Sequence, residues 1–168
     1  ESRLVCDGML AHEHSQSLNA FLASTGSIGG LPLLDSGLAI YQRLDELGFH
    51  YGPSLQVVKG VVKENQCYFF RLETETLSGP ERWVAILDGM LQGLLYLADR
   101  EGFMVGSHLL LPAAMEGLDL PIELPSTVML AVSLNGVASS DSSLRARLVL
   151  QCPDSGRLIG GVEQARFL

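Results

Sequence analysis

Asp88 and Gln92 stand four residues apart in VAILDGMLQGLLYLADR (84–100), the strongest helical stretch of this 168-residue chain. Residues at i and i+4 share one helix face, so the Gln92 amide can donate to the Asp88 carboxylate and fix its orientation. Burying a carboxylate without partners is costly, and an acid held half out of water by an amide suits proton transfer near neutral pH. The plainer alternative is an aspartate in the first turn or two of the helix, favoured by the helix dipole and bathed in water.

Other reactive residue types carry less. LGFHYGPSLQ (47–56) places His50 beside Tyr51, Gly52 and Pro53 straight after a second helical stretch. Such a triplet is usually a turn into a strand, and neither His50 nor His108 has a distinctive local context. His12 and His14, at i and i+2 without a carboxylate, make a poor metal site, so no metal is expected. Cys6, Cys67 and Cys152 lie far apart with no CxxC spacing, which suggests reduced, mostly buried thiols and a cytoplasmic location. No phosphate loop, dinucleotide fingerprint or nucleophile elbow is present.

Composition narrows the partners. With 47% hydrophobic and 18% charged residues, the chain has enough apolar content for one domain with an extensive core. A net charge of −8 without a Lys/Arg cluster argues against nucleic acid and anionic membrane, and no apolar run reaches the length of a membrane span. The start at Glu1, without a methionine or leader pattern, suggests a piece of something longer.

The elements that must position Asp88 follow from patterning. Residues 2–11 read as a strand, and the Ser-, Gly- and His-rich stretch after them as a long connection with a helical turn near Leu18–Leu22. A helix capped by Asp35 or Ser36 carries Leu38, Tyr41, Leu44 and Leu47 at every third position, and Gly48 marks its end. LQVVKGVVK and QCYFFRLE form a hairpin around Glu64-Asn65. The 84–100 helix is apolar on nearly every side and should be buried, with close packing against Gly89 and Gly93 offsetting a cost of about 1 kcal/mol each. STVMLAVSLNGV, SLRARLVLQC and RLIGGVEQARFL supply three strands, the last two joined by a turn at 153–156. One long apolar helix held by a mostly antiparallel sheet is an α+β, hot-dog arrangement.

Four segments, in order, resemble polyketide synthase dehydratase domains. GFHYGPSLQ resembles their G-x-x-YGP-x-F-Q segment, and AILDGMLQ their LLD-A-x-x-Q helix, with Asp88 and Gln92 at the matching positions. LLLPAAMEGLDL resembles their LP…G strand, and SGRLIGGVEQARFL their closing strand. The resemblance divides the chain into a strand over 1–11 like the end of a preceding hot dog, a linker over 12–34, and a C-terminal hot dog over 35–168.

What the resemblance implies is specific. Such domains are double hot dogs that remove water from a β-hydroxyacyl chain carried on the phosphopantetheine of an acyl carrier protein. A histidine of the first half, in an H-x-x-x-G-x-x-x-x-P motif, takes the α-proton, and the aspartate of the second helps the hydroxyl leave. Asp88 would then be the acid and Gln92 its orienting partner. Tyr51, Gly52, Pro53 and Leu55 would line the substrate tunnel. No cofactor beyond the carrier's arm is implied. The partners are the carrier protein, neighbouring synthase domains, and an N-terminal half or a second copy. Among the cations, Arg43, Arg71, Arg82 and Arg100 are candidates for the carrier contact. Trp83 and Val84 stand where that family has His-Pro, and Leu55 where it has Phe. No histidine here has the spacing of the base motif, so alone this chain should not dehydrate anything. The competing expectation is a dehydratase-like domain that serves branching, cyclisation, isomerisation or scaffolding in a synthase. An unrelated single hot dog, such as a thioesterase, would need a complete site of its own across a homodimer.

Overall fold

The computed structural model describes residues 3–5, 31–103, 112–135 and 144–167. Cys6, His12, His14, His108, the expected turn near Leu18–Leu22 and most of the expected linker lie outside the described residues.

Among the described residues eight strands form one antiparallel sheet: β1 (Arg3–Val5), β2 (Leu33–Ser36), β3 (Val58–Glu64), β4 (Cys67–Glu73), β5 (Pro112–Pro121), β6 (Thr127–Asn135), β7 (Leu144–Gln151) and β8 (Leu158–Phe167). Their order across the sheet is β1-β5-β8-β7-β6-β4-β3-β2. Two helices complete the described residues, α1 (Gly37–Glu46) and α2 (Gly79–Arg100), with a 3-10 turn at Pro53–Leu55 between α1 and β3. The alternation of β4 shows how the layers arise. Tyr68, Phe70 and Leu72 face the main core with Ile86, Met90, Leu94 and Leu97 of α2, whereas Phe69 joins Ala131 and Val149 on the opposite face. Each fully buried Leu, Ile or Phe contributes about 1.5–3 kcal/mol, so the sheet closing around α2 is the main source of stability. This is the hot-dog arrangement expected from the pattern.

Several local expectations shift. Leu33 and Leu34, expected in the linker, belong to β2, where Leu33 pairs with Val62 of β3 and Leu34 falls at a register irregularity. Ser36, not Asp35, caps α1, its hydroxyl accepting from Ala39 N. Leu38 is 71% exposed, while Gly37, Ile40 and Leu44 are buried. A strict three-residue spacing drifts around a 3.6-residue helix, so Leu38 and Leu47 cannot share one core face. The β3–β4 turn is Asn65-Gln66, with Glu64 paired to Cys67 and Asn65 in the left-handed region at φ 53°. Both thiols of the described residues, Cys67 and Cys152, are half-buried and free rather than buried.

The largest shift concerns α2. It begins at Gly79, five residues before the apolar run, with Pro80 in its first turn. Proline is tolerated there because its missing N–H would have no helical partner. Asp88 therefore lies in the third turn, beyond the reach of the helix N-terminus, and the exposed first-turn alternative falls away. Gly89 is needed for close packing, since a Cβ there would lie 2.7 Å from a Val57 methyl. Gly93 is not, because its nearest neighbours would stand at an ordinary 3.4 Å.

Candidate active site

α2 presents Asp88 half-buried and Gln92 fully buried on one face, and the loop between α1 and β3 comes to meet them. Gly52 opens the 3-10 turn and its carbonyl accepts from Leu55 N at 3.0 Å. The Gln56 side chain ties the loop back by donating to the Tyr51 carbonyl at 2.8 Å. The turn thereby delivers the Leu55 carbonyl to Gln92, whose Nε2 donates to it at 2.9 Å. The same Nε2 donates to Asp88 Oδ2 at 2.7 Å, so the i, i+4 pair read from the sequence is formed.

A third residue completes the arrangement. The Tyr41 hydroxyl lies 2.6 Å from Gln92 Oε1 and accepts from Val58 N at 2.9 Å. Gln92 thus has both amide hydrogens and its oxygen satisfied, which is what a fully buried amide requires. Sequence reasoning counted Tyr41 only as one apolar member of the α1 stripe. The available signal was a hydroxyl-bearing ring on a face otherwise of Ile and Leu, because a buried tyrosine needs a partner for its O–H.

Asp88 Oδ1, by contrast, has no hydrogen-bond partner and Asp88 no cation among the described residues. Tyr51 packs edge-on against Tyr41 with ring centroids 6.0 Å apart. Burial, and then the negative charge of Asp88, push the Tyr51 hydroxyl up from its ordinary value. Burial and the same carboxylate raise Tyr41 still further, against the opposing hydrogen bond from Val58. Both hydroxyls therefore remain protonated and able to donate.

Two openings flank the site. A cleft of about 530 Å³ is lined by Tyr41, Phe49, Tyr51, Gln56, Val58 and Lys59, among others. A more apolar groove of about 440 Å³ is lined by Leu55, Leu77, Pro80, Val84 and neighbours, one helical turn before Asp88. Gly52 and Pro53 are exposed and open the turn that carries Leu55. Leu55 and Val84, two of the departures from the family pattern, share the apolar groove, while Trp83 turns away and donates to the Pro121 carbonyl at 3.1 Å.

The remaining candidates are placed elsewhere. His50 is exposed and pairs with Asp45. Arg43 is held by Asp99 and Glu46, Arg71 by Glu73, and Arg100 by Asp35 and Tyr96. Arg82 donates to the Leu77 and Leu124 carbonyls. Among the described residues no cluster of three His, Cys, Asp or Glu side chains could hold a metal, and no helix is long and apolar enough to cross a membrane.

No family model matches the chain, and no curated protein matches it significantly. Solved structures do. The dehydratase domain of RzxB from Pseudomonas fluorescens aligns over 82% of this chain and 53% of its own, with 20% identity and a TM-score of 0.63. The dehydratase domain from the CurJ module of curacin polyketide synthase aligns over 79% and 47%, at 14% identity and a TM-score of 0.66. A bifunctional dehydratase-cyclase domain in ambruticin biosynthesis aligns over 88% and 51%, at 18% identity and a TM-score of 0.64. The chain spans about half the length of these structures, and its fold is that of polyketide synthase dehydratase domains.

Proposed function

We propose that this chain is the C-terminal hot dog of a polyketide synthase dehydratase-type domain and supplies the acid for water loss from a β-hydroxyacyl thioester on an acyl carrier protein. One observation carries the reading: a fully buried, fully satisfied Gln92 aims its amide at Asp88 Oδ2 and leaves Oδ1 open. A solvated structural aspartate has no need of such an arrangement.

In the proposed reaction a histidine base from an N-terminal half removes the α-proton. The Cα–H electron pair becomes the new C=C bond, the β C–O bond breaks, and a proton on Asp88 Oδ1 passes to the departing hydroxyl to give water. Asp88 is left ionised and the histidine protonated, and proton exchange with solvent restores both. Gln92 holds Oδ2 throughout, so the reacting oxygen stays oriented. Tyr51 and Leu55 border the openings that would receive the acyl chain.

The test joins this chain to an N-terminal hot dog carrying the base motif and supplies several β-hydroxyacyl carrier-protein substrates. Enoyl product from the wild type, lost in Asp88→Asn, is expected; unchanged water loss in the variant sinks the acid assignment. A second reading is a domain that retains water and cyclises or isomerises. Val84 and Leu55 reshaping the groove beside Asp88 favour it, and a cyclised or bond-shifted product from an enoyl substrate supplied ready-made, with no enoyl product from the β-hydroxyacyl ones, would identify it.

A further inference from the structure

We infer that Tyr41 is a positioning residue for Asp88, acting through Gln92 and anchored to an irregularity in β3. The inference rests on Asp88 being the reacting acid.

The direction of each hydrogen bond follows from counting protons. The Tyr41 oxygen accepts from Val58 N at 2.9 Å, so its own proton points elsewhere. Two acceptors are in range, Gln92 Oε1 at 2.6 Å and the Leu55 carbonyl at 3.4 Å, and one proton goes to the nearer. With its oxygen claimed, Gln92 has Nε2 directed at both Leu55 O and Asp88 Oδ2. Reversing the amide would set Oε1 against a carbonyl and a carboxylate and leave the tyrosine proton without its acceptor. A single orientation survives.

The Val58 N–H is available because β3 is irregular there. Val58 opposes Leu72 and Gly60 opposes Arg71, so Lys59 is an extra residue and the ladder slips between them. Such bulges leave a backbone group for other use beside functional sites. α1 lies tight against this bulge, since a Cβ on Gly37 would sit 2.5 Å from the Val58 carbonyl oxygen. Tyr41 is one turn further along α1. A sheet bulge, a glycine contact and one hydroxyl thus hold the amide that holds the acid.

Tyr41→Phe keeps the ring and strands two buried groups, Gln92 Oε1 and Val58 N–H. In the chain joined to its N-terminal half, kcat for water loss should fall about tenfold to a hundredfold while KM changes less than about twofold, as expected for lost orientation. In a Gln92→Leu background the same substitution should cost less than about twofold, because the route to Asp88 is already cut. A merely structural tyrosine would lower Tm but show an undiminished effect in that background, and that result overturns the inference, as does an unchanged kcat. A wild-type measurement needs no variant. In the full chain, the Tyr41 hydroxyl proton should exchange slowly and show a nuclear Overhauser contact to the Gln92 side chain. Its absence overturns the inference even if no substrate is dehydrated, so this arm stays separate from the proposed reaction.

Discussion

Two tyrosine-centred networks sit along α2, one on Asp88 and Gln92 and the other on Tyr96, Asp99 and Arg100, and they are built on opposite principles. At the Asp88 end, a carboxylate meets a neutral amide and, among the described residues, keeps one oxygen free. At the other end, Asp35 accepts from Tyr96 and pairs with Arg100 at 2.7 Å, while Arg43 grips Asp99 at 2.7 Å with a second donor at 2.8 Å. The second network neutralises its acids and ties β2 and α1 to α2. The first leaves its acid uncompensated. Polar groups near a core are therefore not equivalent: a closed ionic set is a clamp, and an oriented acid with an unused oxygen is available for chemistry.

The same substitution in each network separates the two. Asp88→Asn should reduce turnover of the joined domain by a factor on the order of 10²–10⁴, measured as enoyl product, with little change in Tm. Asp35→Asn should leave turnover within about twofold and cost at most about 1 kcal/mol in denaturant unfolding, because Asp35 and Arg100 are both partly exposed. Equal losses of turnover would break the comparison.

The glycines of α2 sharpen it. Gly89→Ala should destabilise by about 1–3 kcal/mol, since its Cβ meets Val57 at 2.7 Å next to Asp88. Gly93→Ala, with room at 3.4 Å, should gain up to about 1 kcal/mol from helix propensity. Thermal unfolding of the two variants should move in opposite directions. The smallest effect concerns the thiols. The Ser155 hydroxyl and neighbouring amides lower the Cys152 thiol, whereas burial and then the Glu64 charge raise Cys67. More thiolate at neutral pH means faster alkylation of Cys152 than of Cys67, read by mass spectrometry.

Much of this was legible in the chain, and the failures are physical. Asp88 and Gln92 were readable as a pair because an i, i+4 relation is local and needs only a helix. The hot-dog layout followed from a long apolar helix among alternating strands. The start of α2 lies five residues before the apolar run, because the polar first turn carries no hydrophobic period and Pro80 is harmless there. Gly89 and Gly93 looked equivalent, yet what a Cβ would meet depends on Val57 and Phe70, which lie far away in sequence.

Sequence alone therefore determined most of the elements, the buried helix and the acid–amide pair, all of which depend on short-range spacing and side-chain polarity. Tertiary structure alone decided that Tyr41 and the Leu55 carbonyl complete that pair and that Arg43 and Arg100 are spent in ion pairs. Those outcomes depend on a one-residue register slip in β3 and on the approach of α1 to α2, contacts between residues tens of positions apart that no local pattern encodes.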